Sequence, residues 1–568
     1  MMKGIGVSAG IGIGRILRIE EHSLEYTPQQ VTDKDAEIKR FHDAVDAFCM
    51  NTEAQAEALR KSAGENEAKI MLGHISIVQD PFLLGEVDKL IEGGQCAEAS
   101  FESMCDMFIQ IFSAAEDEVT KQRAADVRDV KAGVLSILLG INEVRLSDVP
   151  PGTIICVREL TPSMTAEMNK ENIAGILTEA GGTTSHSAIL ARVLEIPAVM
   201  SVPGIMAEAK NGGQAVIDGK TGEVILSPDE MQLKASMEKR EKFIRERKEL
   251  EKYRGRTTVS ADGTEYELVC NIGKPEDAAK ALEADGEGVG LFRTEFLFMD
   301  KTSTPTEEEQ FREYKKAAMI LGDRPLIIRT LDIGGDKEIP YLGLEKEDNP
   351  FMGFRAIRYC LKNQELFRTQ LRAILRASAF GNVSIMFPLI TCVEEVREGK
   401  ALVEQLKGEL EAEGIDFDRN IRVGIMTETA AAGIIADLLA KECDFFSIGT
   451  NDLTGYTMAA DRGNSDVSYL YSALQPSVLR MIRSIITAAG DRGIPVGMCG
   501  EAAADPLMIP LLISFGLTEF SVSAPSVLRV RKSISGWTKQ KADEIAEKAM
   551  SFATEQEVRD YLKSVVSD

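Results

Sequence analysis

One histidine stands where a phosphoryl group could be carried. In GILTEAGGTTSHSAILARVLEIPAVMSVP, residues 175–203, a short apolar run at Ile176-Leu177 leads into a Gly181-Gly182 turn. Helical spacing follows at Ile189, Leu190 and Val193, and Pro197 stops the helix before a β-branched run. The pattern predicts a strand, a tight turn and a helix with His186 in its first turn. Unpaired backbone N–H groups and the positive end of the helix dipole suit a phosphate there. Imidazole is both a neutral nucleophile and a good leaving group near neutral pH, so a phosphohistidine is the specific reading. A satisfied histidine on an ordinary helix is the plain one. The remaining histidines, His22, His42 and His74, lie in or beside a helical region and read as surface or core residues.

A second set of residues suits charge neutralisation. Arg293, Arg329 and Arg462 each fall at or just after an apolar run, as do Glu428, Asp452 and Cys499. Guanidinium forks grip phosphate and carboxylate bidentately. Glu428 and Asp452 can supply the one or two carboxylates that Mg²⁺ takes when substrate oxygens and water complete its octahedron. Ion pairs with the arginines are their alternative use. Cys499, between Met498 and Gly500, is either a small buried hydrophobe or an acid. A thiol whose pKa is held near or above about 8.5 can protonate a carbanion-like centre. Arginines, Mg²⁺ and a proton donor together describe a home for phosphoenolpyruvate, since loss of its phosphoryl group leaves an enolate to be protonated at carbon.

The elements that must hold these residues can be read from the spacing of apolar side chains. From about Thr257, strand-like runs alternate with helical stretches: Tyr266-Asn271, Gly288-Phe292, Leu326-Thr330, Val383-Pro388, Arg422-Met426, Phe445-Ile448, Pro495-Met498 and Glu519-Ser523. Eight such repeats in roughly 270 residues predict a closed (β/α)₈ barrel, whose active sites sit at the C-terminal ends of the strands. Those ends carry Asn271, Arg293-Thr294-Glu295, Arg329 with the block from Asp332 to Lys337, Phe387-Pro388, Glu428, Asn451-Asp452, Cys499, and Ser521 with Ser523. A last helical stretch, Lys539 to Val565, is expected outside the barrel.

The N-terminal half reads differently. Residues 4–19 suggest one or two glycine-punctuated strands, and residues 32–146 are helical almost throughout, with about four helices and apolar positions such as Phe41, Val45, Phe48 and Cys49, or Ile111, Phe112 and Ala115. Short β-branched runs return at Thr153-Val157, Ile176-Thr178, Ala198-Val202 and Ala215-Ile217. The expected division is an α/β domain of residues 1–22 and 147–227, a helical insertion of residues 23–146, a connecting helix within 228–256 and a barrel domain of 257–568. Residues 228–256 carry dense mixed charge without a sustained heptad, which favours a solvated connector over a coiled coil.

Composition narrows the function. The 568 residues exceed one core, and 44% hydrophobic with 27% charged residues fits a globular, multidomain α/β protein. A formal charge of −25 argues against nucleic acid or an anionic membrane as the main partner and favours a basic protein. Nine scattered cysteines without a CxxC pair suggest a reducing cytoplasm. The N-terminus lacks the features of a signal peptide, and no apolar run is long enough to span a membrane.

Seven blocks also resemble a known family: GGTTSHSAILAR, GVGLFRTEFLFMD, IIRTLDIGGDK, NPFMGFRAIR, GIMTET, FFSIGTNDLTGYTMAADRGN and GMCGE. In order, and from Gly4 to the last helix, they are similar to Enzyme I, the phosphoenolpyruvate-protein phosphotransferase that starts the bacterial sugar phosphotransferase system. The resemblance implies that His186 is the nucleophile, phosphorylated on Nε2, and that it passes the group to the small phosphocarrier HPr, docked on the helical insertion. It further implies that Arg293, Arg329, Asn451 and Arg462 hold phosphoenolpyruvate with the Asn451-Asp452 backbone nearby, that Glu428 and Asp452 bind Mg²⁺, and that Cys499 is the proton donor. Lys337 and Arg355 fall in matching blocks and are expected to assist. A homodimer through the barrel domain is implied as well.

The chain departs from the family pattern at Thr183, where an arginine usually precedes Thr-Ser-His, and at Gly455, where glutamine is usual. The first change removes a positive charge beside the acceptor histidine. Three other readings compete. A phosphoenolpyruvate-utilising dikinase or synthase would need a nucleotide domain, for which there is neither room nor a G-x-x-x-x-G-K-[ST] loop. A phosphoenolpyruvate-sensing scaffold would not need the full set of nucleophile, metal acids and proton donor. A nitrogen-branch paralogue would carry an additional N-terminal sensory domain, not expected here because the motifs begin at Gly4.

Overall fold

The computed structural model describes residues 2–19, 26–62, 65–113, 118–141, 146, 149–160, 164, 168–182, 188, 191–192, 194–299, 301, 303–334, 339–461 and 464–566. The chain forms two compact units, residues 1–247 and 248–568.

The first unit is built on an eight-stranded sheet. Its strands are β1 (Met2–Lys3), β2 (Ile5–Ser8), β3 (Ile11–Arg18), β4 (Thr153–Val157), β5 (Ile173–Thr178), β6 (Ala198–Met200), β7 (Gln214–Asp218) and β8 (Glu223–Leu226). They lie in the order β1-β8-β7-β3-β4-β5-β6-β2. The run β3-β4-β5-β6 is parallel and the flanking pairs are antiparallel. Residues 4–19 hold two strands, as expected, and with β1 they pair with strands that follow residue 150. Parallel strands are covered on both faces and read as unbroken apolar runs. In β4, Ile154 and Cys156 join one buried cluster while Ile155 and Val157 join another. The glycine punctuation of β3 has a steric cause: a Cβ at Gly14 would stand 1.9 Å from the Gly152 carbonyl oxygen.

Between β3 and β4 the chain makes α1 (Lys34–Ser62), α2 (Glu65–Val78), α3 (Pro81–Glu92), α4 (Ala97–Ser113) and α5 (Glu118–Leu138). Among the described residues these are five helices where the periodicity suggested about four. One boundary lies at Asp80, whose carboxylate accepts from Phe82 N and Leu83 N at 2.9 and 3.1 Å while Pro81 takes the first helical position. Proline there begins a helix, since its missing N–H would be unpaired anyway. Phe41, Val45, Phe48 and Cys49 are core residues, together with Val87, Phe101 and Val134. Ile111 is exposed instead, and only Phe112 of that apolar cluster turns toward the core; Ala115 lies outside the described residues. The helix Glu230–Glu251 is solvated, and Ser236 is its one buried residue among those described.

In the second unit, β9 (Glu267–Ile272), β10 (Val289–Arg293), β11 (Leu326–Arg329), β12 (Val383–Phe387), β13 (Arg422–Thr427), β14 (Phe446–Ile448), β15 (Val496–Met498) and β16 (Glu519–Val522) close into a parallel barrel. Leu291, Ile327, Met386, Met426, Phe445 and Cys499 form a buried cluster of their own. A larger apolar layer joins the strands to the surrounding helices. Helix Glu307–Leu321 starts in a capping box between Thr306 and Glu309. The C-terminal helical stretch comprises two helices, Lys539–Met550 and Glu555–Val565, because Thr554 and Glu557 form a capping box that restarts the chain. Among the described residues no helix is long and apolar enough to cross a membrane.

Candidate active site

The C-terminal rim of the barrel is rich in buried charge. Arg293 and Arg329 end β10 and β11 and are register partners. Arg293 is exposed, whereas Arg329 is buried. Thr294 holds the two strand ends together by donating to the Arg329 carbonyl at 3.0 Å. Gln370 Nε2 donates to Thr294 Oγ1 at 3.1 Å, and Gln370 Oε1 accepts from Leu331 N at 2.9 Å. The strand ends are thus pinned from a neighbouring helix by one buried amide.

Arg329 Nη2 pairs with Glu295 Oε1 and lies 3.1 Å from Asp332 Oδ2. The other oxygen of Asp332 accepts from Arg355 Nη2 at 2.8 Å. The same Arg355 nitrogen reaches Asp452 Oδ2 at 3.3 Å, and its Nη1 lies 3.4 Å from the Tyr456 hydroxyl, which donates to the Phe351 carbonyl. One aspartate therefore bridges two guanidiniums. Burial alone would disfavour both charges, but Glu295 and Asp332 hold Arg329 charged, and Asp332 and Asp452 do so for Arg355. Asp332 and Gln370 were not assigned roles from sequence. Asp332 stands three residues after Arg329, the one local signal available, and Gln370 gives none.

Glu428 follows β13 and is buried. Its Oε1 accepts from Leu389 N at 2.8 Å, and Leu389 reaches it with left-handed backbone, φ 56°. Such a conformation is strained for leucine and persists only where the surroundings impose it. Burial, with the charges of Asp452 and Asp332, pushes the Glu428 carboxyl up to about 8 against the pull of Arg329 and Arg355. Asp452 lies in the first turn of helix Thr450–Met458 with Asn451, whose carbonyl accepts from the Tyr471 hydroxyl at 2.7 Å. Among the described residues no group of three or more His, Cys, Asp or Glu side chains could hold a metal.

Cys499 follows β15, and its Sγ lies 3.7 Å from the Ile448 carbonyl. Burial pushes the thiol up to about 11; the nearby Ser447 hydroxyl works the other way, Glu428 adds to the rise, and Arg329 and Arg293 oppose it. Asn271 Nδ2 donates to the Cys499 carbonyl at 3.0 Å and to the Ser521 carbonyl at 3.2 Å, so it fixes backbone at the rim. Gly500 is required by crowding, because a Cβ there would stand 1.7 Å from Thr450 Oγ1. Ser523 is exposed, and its hydroxyl lies 3.0 Å from that of Ser526. The structure brings Arg293, Arg329, Arg355, Glu428, Asn451, Asp452 and Cys499 to one edge of one barrel. His186, Thr183, Lys337 and Arg462 lie outside the described residues.

Comparison with known proteins decides the chemistry. Three family profiles match in sequence: PEP-utilising enzyme, N-terminal, over residues 3–123; its mobile domain over 149–222; and its PEP-binding domain over 247–538. The phosphoenolpyruvate-protein phosphotransferases of Priestia megaterium and Bacillus subtilis (strain 168) are each 45% identical to this chain, over 99% of it and 98% and 99% of their own length. The Staphylococcus aureus protein of that name is 43% identical over 100% of this chain and 99% of its own. The chain belongs to the phosphoenolpyruvate-protein phosphotransferase family. It is thus an enzyme that moves a phosphoryl group from phosphoenolpyruvate to protein. For a phosphotransferase of this family, the rim of buried arginines and acids lies within the PEP-binding match.

Proposed function

We propose that phosphoenolpyruvate binds at the barrel rim and phosphorylates His186, which then passes the group to the histidine phosphocarrier HPr. Arg293, Arg329 and Arg462 receive the phosphate and carboxylate, helped by Asn451 and the first turn that carries it, while Arg355 and Lys337 assist. Bidentate guanidiniums neutralise the charge that spreads over the phosphoryl oxygens. Glu428 and Asp452 would hold Mg²⁺, which would supply further neutralisation of the phosphate and of the leaving enolate.

As the P–O bond to the enol oxygen breaks, His186 Nε2 forms the new bond to phosphorus. The enolate left behind takes a proton at carbon from the Cys499 thiol, giving pyruvate, and the thiolate regains its proton from water. A thiol pushed up to about 11 is protonated before each turnover, as a general acid must be. The observation that carries this reading is the double bridge of Asp332, which sets Arg329 and Arg355 beside Glu428, Asp452 and Cys499 on one strand-end rim.

The same reading gives residues 1–22 and 147–227 to the phosphohistidine domain, 23–146 to HPr docking, and 257–568 to substrate binding and homodimerisation, in a cytoplasmic enzyme. Incubation with labelled phosphoenolpyruvate and Mg²⁺ tests it. The protein should take up an acid-labile, base-stable label that HPr removes, and His186→Ala should take up none. Label retained by that variant would overturn the assignment.

A further inference from the structure

The opposite end of the same barrel holds a polar cavity. The N-terminal ends of the strands enclose about 50 Å³, lined by Glu267, Ile327, Arg422, Phe445, Gly497 and Glu519 among others. Glu519 opens β16 and is only 8% exposed. Its Oε1 has no hydrogen-bond partner among the described residues. Two glycines make room for this carboxylate: a Cβ would stand 2.8 Å from Oε1 at Gly290 and 2.4 Å from it at Gly497. An unsatisfied buried carboxylate oxygen is costly. The cavity exceeds the roughly 10–15 Å³ needed for a water-sized occupant, so a small guest can satisfy it.

The charges nearby say which guest. Glu267, the register partner of Glu519 on β9, lines the cavity too, as does Arg422 at the start of β13. Strands β11, β14 and β15 bring Ile327, Phe445, Phe446 and Gly497, none of which titrates. Two carboxylates facing one guanidinium leave the cavity one positive charge short. We propose that the base of the barrel binds one small monovalent cation, of potassium or ammonium size, between Glu519 and Glu267. A divalent ion would overshoot the charge, and a tetraalkylammonium would not fit. The proton is the natural competitor: burial and Glu267 push the Glu519 carboxyl up to about 8, with Arg422 opposing. The cation therefore gains its place as pH rises through that value and loses it as pH falls. This site belongs to the strand starts and owes nothing to the rim chemistry.

The single tryptophan, Trp537, is buried in the core of the barrel unit and reports its unfolding. Thermal unfolding of the full chain, followed by that fluorescence at fixed ionic strength and at a pH above the Glu519 transition, provides the test. Potassium or ammonium chloride should raise the midpoint by about 2–4 °C over tetramethylammonium chloride. The shift should vanish in Glu519→Gln and shrink by at least about half in Glu267→Gln, whose side chain is exposed and tolerates exchange. It should also fade in the unaltered chain below the transition. Equal midpoints in all salts would mean a cavity that holds water only, and a shift that survives in both variants would mean ions acting elsewhere; either overturns the proposal.

Discussion

Gly449 packs so tightly on Glu428 that a Cβ added to the glycine would stand 2.6 Å from Oε2 and 3.0 Å from Cβ of the glutamate. With Oε1 already engaged by Leu389 N, the glutamate has no room to step aside. Gly449→Ala should therefore displace the Glu428 carboxylate without removing it. The Mg²⁺ concentration for half-maximal pyruvate release should rise by about tenfold or more, the effect usual when a ligand's support is lost. Titration of activity with Mg²⁺ checks this, and unchanged Mg²⁺ dependence would take Glu428 out of the metal site.

Asp332 should matter to both stability and binding. Asp332→Ala leaves Arg329 and Arg355 buried without their shared partner, and removing one member of a buried ion pair costs about 3–5 kcal/mol. Denaturant unfolding followed by Trp537 should register that loss. The KM for phosphoenolpyruvate should rise by at least about tenfold, since both guanidiniums lose their aim. A stability loss with unaltered KM would reduce Asp332 to a structural role.

The Cys499 thiol sets a pH dependence of definite sign. As a general acid it works protonated, and burial lifts it to about 11. Single-turnover pyruvate formation should hold steady as pH rises past 8.5, where an ordinary thiol would already be half ionised. It should decline only as the medium approaches the raised value. An alkaline limb centred near 8.5 would show that the thiol is not held as the burial of Cys499 requires.

The barrel was legible because each strand is covered on both faces and reads as a short apolar run. The run Tyr266-Asn271 became β9, Glu267–Ile272, and Val383-Pro388 became β12, Val383–Phe387. Strand-end arginines such as Arg293 and Arg329 followed from the same periodicity. The bridge of Asp332 was not legible, because its second partner, Arg355, arrives from a separate segment. Gln370 was hidden for a related reason: a buried amide in an amphipathic helix looks like any polar residue until Thr294 and Leu331 are beside it. Leu389 could not be foreseen either, since nothing in leucine signals left-handed backbone. Ile111 misled in the other direction, because an apolar pair on a helix does not say which member turns inward.

The parallel pairing of β3 with β4 bears on how this protein could be cut down. Parallel neighbours run the same way, so the chain leaving Arg18 must travel back along the sheet before it can enter at Thr153. The five helices make that return journey. Excising residues 34–138 would leave residues 19–33 and 139–152, 29 residues, to make the return, more than the dozen or so that a parallel crossover needs. The helical block is thus a removable passenger, because the segments that flank it are long enough to take over its route.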